Sequence, residues 1–324
     1  MNVLIGLGWL KNGNKFEKEC KIGRDAILLD VIIQPLTPTY WTDYELIDSG
    51  DFQKFERFGS VTLVRPEPQA IWKPTLSEQE WKKASVSFVG RSPSTGDWRK
   101  PASIPDRWNI RYKSPNLDMQ LRLAFTSFKH VGVFPEQAVN WEYIAERIRS
   151  LKAPNPRFLN LFAYTGAASI AARAAGATVT HVDSIKQVVT WANDNMQLNA
   201  LTDIRWMVDD AVKFVQKEVR RGNTYHGIIL DPPAYGHGPK GEKWKLEDSV
   251  YDLMSDVVKL LDPKEHFIVL NTYSLGFSAV VAGNLLRQTL GARAEIETGE
   301  LLLTPRNGVP LPLGVFARAQ KSDS

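Results

Sequence analysis

The sequence predicts an α/β protein: a doubly wound, mainly parallel sheet of seven strands closed by an antiparallel C-terminal hairpin, preceded by a smaller antiparallel β domain. Three observations carry this. From residue 157 onward short apolar runs alternate with amphipathic stretches, the pattern of strands and helices in turn. The last two runs are joined by Leu303-Thr304-Pro305-Arg306-Asn307-Gly308-Val309-Pro310 with no helical segment between them, which makes that pair an antiparallel hairpin at the sheet edge. Between residues 39 and 135, short runs bearing Trp, Phe, Tyr and Val are broken by Pro, Gly, Ser and Asp, as in an antiparallel β domain.

In chain order, residues 1–38 form an N-terminal extension with a basic stretch, Lys11 to Arg24, and an apolar run, Ala26 to Ile33. No chemistry can be named for it. Gly6-Leu7-Gly8 lacks the third glycine of a dinucleotide turn, because Lys11 stands in its place. Residues 39–135 make the β domain, whose Trp72, Trp81, Trp98 and Trp108 either fill a small core or stack RNA bases, the core reading being favoured. Residues 136–324 make the cofactor-binding domain. It opens on a helix with Trp141, Ile144, Ile148 and Leu151 along one face. Strands are expected at 157–162, 178–182, 204–208, 226–230, 266–271, 293–298 and 313–319, and helices at 166–175, 185–199, 210–221, 247–261 and 278–290.

Composition bounds the function classes. With 324 residues, 43% of them apolar, the chain can bury real cores. Its 40 basic against 36 acidic residues tilt it only mildly toward polyanions. Cys20 is the single cysteine, which rules out an intrachain disulfide and a multi-cysteine zinc site, and no metal is expected. No signal peptide or membrane span is legible, so a cytoplasmic location is expected. A homodimer is compatible with the sequence.

The chemistry is expected where parallel strands end. The first strand runs into Asn160, Phe162, Ala163, Tyr164, Thr165 and Gly166, a turn with one glycine and no lysine. That suits a nucleoside with an uncharged linker better than a pyrophosphate. The second strand ends at Asp183-Ser184: Asp183 can accept both hydrogen bonds of a ribose diol, with Ser184 as helix cap. After the third strand come Asp209 and Asp210; Asp210 is assigned to an adenine amine and its neighbour to the helix cap. The fourth strand ends Asp231-Pro232-Pro233-Ala234-Tyr235. The prolines stiffen the loop and leave carbonyls without local donors, so that Asp231 and the Pro232 carbonyl converge on an incoming amine while Tyr235 stacks on a base. A basic loop, residues 236–245, follows. The fifth strand ends at Asn271-Thr272-Tyr273-Ser274, with no cysteine to attack a pyrimidine ring.

With these residues in place, residues 120–320 resemble the class I (Rossmann-like) S-adenosylmethionine-dependent methyltransferases that include the bacterial large-subunit (23S) ribosomal RNA methyltransferases. The marks are Gly132-Val133-Phe134-Pro135-Glu136-Gln137, the Asn160 to Gly166 turn, Asp183, Asp209-Asp210-Ala211, Asp231 to Tyr235, and Thr272-Tyr273-Ser274. The resemblance implies S-adenosylmethionine as cofactor. It implies that Phe134 and Gln137 close over it with Lys129 nearby, that Asn160, Phe162 and Tyr164 line its methionine end, and that Asp183 and Asp210 hold ribose and adenine. The C5-cytosine members carry a cysteine in the segment corresponding to residues 271–274, and this chain does not. The N-terminal RNA-binding module of those enzymes is not recognisable in residues 1–38. The expected function is methylation of a nucleobase nitrogen in RNA, ribosomal RNA being the expected partner. A small-molecule or protein methyltransferase, and a non-catalytic RNA-binding protein on this scaffold, are the alternatives; a steep salt dependence of RNA affinity separates the RNA readings from the rest.

Overall fold

The computed structural model describes residues 33–91, 95–237, 243–273, 276–291 and 294–321; the basic stretch, most of the apolar run and Cys20 lie outside them. The first half contains β1 (Ile33–Leu36), β2 (Tyr44–Gly50), β3 (Gln53–Phe58), β4 (Val61–Pro66), α1 (Glu78–Trp81), β5 (Val86–Gly90), β6 (Gly96–Arg99), β7 (Arg107–Lys113) and β8 (Asp118–Ala124). There follow α2 (Ala138–Ser150), β9 (Arg157–Leu161), α3 (Ala167–Ala174), β10 (Thr178–Asp183), α4 (Lys186–Leu198), β11 (Ile204–Val208), α5 (Ala211–Arg220) and β12 (Gly227–Leu230). The chain continues through β13 (Tyr235–His237), β14 (Lys243–Lys245), α6 (Leu246–Val257), β15 (His266–Thr272), α7 (Ala279–Leu290), β16 (Ile296–Leu303) and β17 (Leu311–Lys321).

The main sheet runs β11-β10-β9-β12-β15-β17-β16-β1. Strands β11, β10, β9, β12 and β15 pair in parallel, and β17 runs antiparallel between β15 and β16. All seven expected strands are present. An eighth, β1, pairs in parallel with β16, so the hairpin is not the edge. Ile33-Gln34-Pro35-Leu36 is too short to show a period, and its proline is tolerated because an edge strand spares one row of donors. Gly299 admits it: a Cβ there would lie 1.8 Å from the Gln34 carbonyl oxygen.

The central strands are buried on both faces and read as continuous apolar runs. Leu159, Leu161, Ile228, Leu230, Ile268 and Leu270 face α5, α6 and α7, while Phe158, Ile229, Phe267 and Val269 face Ile144 and Ile148 of α2 and Ala172 of α3. Because these strands run in parallel, their carboxyl ends share one rim. No helix among the described residues is long and apolar enough to cross a membrane.

The β elements ahead of this sheet form a five-stranded sheet, β2-β3-β4-β5-β6, and the hairpin β7-β8. Pairing is antiparallel except between β4 and β5, which run parallel. The expectation of a wholly antiparallel domain is corrected there. The β4–β5 connection carries α1 and is long enough to return to the starting end. Its apolar core joins Tyr44, Phe58, Leu63, Ile110 and Leu121 to Trp141 of α2, Ala171 of α3 and Leu311 of β17. Trp72, Trp98 and Trp108 pack against this core, and Trp81 packs its ring against Phe55. Their indole N–H groups donate to the Ser49 carbonyl (Trp72, 2.9 Å), Asp48 Oδ2 (Trp81, 2.9 Å), the Phe128 carbonyl (Trp98, 3.2 Å) and the Phe58 carbonyl (Trp108, 3.1 Å).

Under this core lies a group of buried charges. Arg65 Nε and Nη2 donate to the two oxygens of Glu56 at 2.6 and 3.0 Å, and Tyr44 Oη donates to Glu56 Oε1 at 3.0 Å. Burial opposes ionisation of Glu56, but Arg65 and Lys54 outweigh it and hold the carboxyl below its usual value. Removing one member leaves the other charge buried without a partner. Arg65→Met is therefore expected to cost about 3–5 kcal/mol in urea unfolding; a loss under about 1 kcal/mol contradicts this reading.

Candidate functional site

Strand β9 delivers a strained turn to the carboxyl rim. Phe162 and Tyr164 take φ of 55° and 49°, and Gly166 takes 84°. Left-handed non-glycine residues cost about 1 kcal/mol or more each, so surrounding bonds must hold the turn. Asp183 Oδ2 accepts the Tyr164 N–H at 2.9 Å, and Thr165 Oγ1 donates to the Gly132 carbonyl at 2.6 Å. Asn195 Nδ2 donates to the Thr165 carbonyl at 3.0 Å. Gly132 has φ 107°, and a Cβ on it would lie 2.3 Å from the Trp191 ring; only glycine lets this strap reach the turn. Gly166 is the N-cap of α3 and no side chain caps its first turn, which leaves backbone donors for a ligand. Ala163 is buried under the turn.

Two of the expected residues support this turn from within. Asn160 is buried and its Nδ2 donates to Ser169 Oγ at 2.9 Å, which bonds His181 Nδ1 at 3.0 Å. Thr165 is buried and engaged with Gly132. Phe134 packs its ring 5.2 Å from that of Tyr164. Lys129 is turned toward the β elements: its Nζ reaches the Pro66 carbonyl at 3.4 Å, its own carbonyl accepts from Arg65, and burial lowers its pKa.

At the end of β10, Asp183 Oδ1 accepts the Ile185 N–H at 2.9 Å. Burial raises this carboxyl, against the backbone N–H bonds that lower it. Ser184 does not cap α4. The N-cap is Ile185, with no side-chain bond, because the Asp183 carboxylate captures the amide two residues on and delays the helix. The division expected between Asp209 and Asp210 is also corrected. Asp210 caps α5 through the Lys213 N–H at 2.9 Å, whereas Asp209 pairs with Lys217 Nζ at 2.6 Å. Sequence reasoning missed Ile185 and Val208, apolar yet 52% and 48% exposed. Val208 is the partner of Asp183 on β11, and Ile185 follows Asp183 at the start of α4. An apolar residue two positions after a strand-end acid was the available signal.

At the end of β12, Asp231 Oδ1 accepts from Asn271 Nδ2 at 2.9 Å, and Oδ2 from Gln137 Nε2 at 3.3 Å. Gln137 is fixed in turn by Asn140 Nδ2, 2.7 Å from its Oε1. Burial pushes the Asp231 carboxyl up to about 6, against the Asn271 bond, which lowers it. Gln137, expected to close over a cofactor, thus spends its amide on Asp231, and Asn271, noted in the sequence only within the segment that lacks a cysteine, is that carboxylate's second donor. Glu136 is buried with an unpartnered Oε2 and is pushed up to about 7 by burial.

The loop after Asp231 differs from expectation in two ways. The Pro233 carbonyl is not free but accepts from Trp244 Nε1 at 2.6 Å, while Pro232 is buried. The basic loop contributes two short strands, β13 and β14, which pair antiparallel; residues 238–242 lie outside the described residues. Tyr235 is 70% exposed. Pro233 also bridges to Tyr273, whose hydroxyl donates to Glu67 Oε1.

The rim therefore offers an uncapped helix start, a half-buried acid beside exposed apolar residues, and a second acid held by amides. Those groups fit a nucleoside carrying a charged amino-acid tail. The comparisons agree. The family model described as S-adenosylmethionine-dependent methyltransferase matches residues 69–276. A solved S-adenosylmethionine-dependent methyltransferase from Agrobacterium tumefaciens is 37% identical with a TM-score of 0.83, covering 89% of this chain and 94% of that one. A putative methyltransferase from Streptococcus mutans shares the fold at 16% identity, TM-score 0.66, over 87% and 76% of the two chains. Ribosomal RNA large subunit methyltransferase K/L of Shewanella frigidimarina is 27% identical over 221 residues, 66% of this chain and 28% of that protein. That of Pseudoalteromonas translucida is 35% identical over 145 residues, 44% and 19%. The chain thus spans less than a third of these curated relatives. With a family match over more than half its length, laid across the strand ends that make the rim, the chain belongs to the S-adenosylmethionine-dependent methyltransferases.

Proposed function

We propose that this methyltransferase acts on a nucleobase nitrogen in RNA, with ribosomal RNA as the substrate class. The observation that carries the reading is Asp231, a half-buried carboxylate held by two neutral amides on the loop that also carries the exposed Tyr235. Support also comes from the printed names of the K/L relatives and from the absence of a thiol at the end of β15, where Asn271 stands.

In this reading the ribose diol rests on Asp183, with Ile185 and Val208 against the faces of the adenine ring. The turn from Phe162 to Gly166, with Phe134 above it, receives the methionine end. S-adenosylmethionine, when bound, supplies an electrophilic methyl on a sulfonium that leaves as a neutral thioether. Asp231 accepts a hydrogen bond from the acceptor N–H, orients the nitrogen lone pair, and takes up the proton that nitrogen sheds. Tyr235 stacks on the base and fixes its plane.

Asp183→Ala is expected to weaken S-adenosylmethionine binding about tenfold or more in calorimetry; undiminished affinity removes the ribose assignment. The folded pKa of Asp231, about 6, lies above its ordinary 3.8, so the native state holds its proton more tightly. Its burial cost is absent below about pH 4 and fully present above about pH 6. Asp231→Asn is thus expected to gain about 1–2 kcal/mol at pH 8, shrinking as pH falls. The same variant is expected to lose methyl transfer to total RNA, from a strain lacking the protein, by about a hundredfold or more. Full activity in Asp231→Asn, or a wild-type protein that labels no RNA, contradicts the reading.

A further inference from the structure

Beyond Asn271 the rim continues into a pocket of about 130 Å³ bordered by Gln69, Thr272, Phe277, Glu300, Gly314 and Val315. It lies on the β15-β17-β16 half of the sheet, whereas the cofactor-side residues end β9, β10 and β11. Asp231 stands between the two halves. A Cβ on Gly314 would lie 3.8 Å from both polar atoms of the Asn271 side chain, so a single side chain separates this pocket from Asp231.

Two polar groups here are unused. The Thr272 hydroxyl is buried without a hydrogen-bond partner, on a residue 1% exposed. Glu300 is half-buried at a register shift in β16, and no hydrogen bond or ion pair is recorded for it among the described residues. Buried polar groups are ordinarily satisfied, and an acceptor-only carboxylate in a recess asks for a donor. Phe277 and Val315 supply apolar walls. Gln69 brings the β4–β5 connection to the mouth.

We infer that this pocket receives the base next to the methylated one, and that Glu300, with Thr272, selects a neighbour carrying an exocyclic amine over uracil. The inference rests on the RNA reading above. Taking a base out of its stack exposes the flanking nucleotides, and contacts to those neighbours set sequence context. A flat ring fits between Phe277 and Val315, its amine donating to Glu300. Uracil presents no amine, and the carboxylate would then face its carbonyl oxygen.

The test is a cycle between protein and RNA. Wild-type enzyme and tritiated methyl donor first label total RNA from a strain lacking the protein, and mass spectrometry locates the site. Synthetic RNA spanning that site is then assayed with either neighbour changed to uracil. For one neighbour, natively amine-bearing, the change is expected to lower wild-type kcat/KM about tenfold or more and to have little effect in Glu300→Ala. In that variant cofactor affinity and thermal midpoint stay at wild-type values. If Glu300→Ala does not fold, the isosteric Glu300→Gln decides the same comparison. The inference is overturned if the uracil change has equal effects in both proteins, or if both neighbours are natively uracil. It is also overturned if loss of Glu300 weakens cofactor binding, which would place the pocket on the donor side. A wild-type enzyme that labels no RNA defeats the RNA reading itself, and this inference with it.

Discussion

The Asp231 carboxylate, partly withdrawn from water and met by two amides, sets the arrangement of the whole rim. A buried carboxylate without donors would protonate; a lysine or arginine beside it would make it strongly acidic and occupy it. Gln137 and Asn271 do neither. They satisfy part of its capacity and leave it above the ordinary range, still able to accept. These donors lie 94 and 40 residues away in sequence. They meet because β12 is central, between β9 and β15, and because α2 begins beside it.

The segment from Gly132 to Gln137 is what joins the two cores. Its first carbonyl accepts from Thr165, the Pro135 carbonyl accepts from Trp41 Nε1 at 3.0 Å, and its last side chain reaches Asp231. The β elements hold the far side of the site through Tyr273 and Glu67, the latter paired with Lys54 at 3.2 Å. Charged groups are costly to bury, and here they occupy the place where the β elements meet the loop after Asp231. A methyl-transfer site needs that loop held rigidly, since its rate comes from orientation.

Periodicity made the alternating strands and helices legible, because each central strand is a continuous apolar run and each helix has a clear stripe. Strand β1 escaped it: four residues with a proline have no period, and their partner strand lies 265 residues later in sequence, Gln34 beside Gly299. The strand-end acids were legible as positions, but their bonds were not. Asp183 takes the Ile185 amide and displaces Ser184 from the cap, and Asp210 rather than Asp209 caps α5. Cap assignment depends on backbone angles that neighbouring side chains decide. Asn271 was read only as a missing cysteine, since nothing local marks a partner forty residues away. The pocket at Glu300 belongs to the same class, as its borders come from four separate segments.

The central claim is that the ionised Asp231 carboxylate, tuned by its amide donors, receives the acceptor's N–H. The pH dependence of methyl transfer to RNA, compared between wild type and Asn271→Ala, tests it most directly. Because the Asn271 bond lowers the Asp231 pKa, the account predicts a rate that falls below about pH 6 in wild type, and an inflection moved to higher pH in the variant. Superimposable profiles, or a wild-type rate indifferent to pH between about 5 and 7, would contradict it.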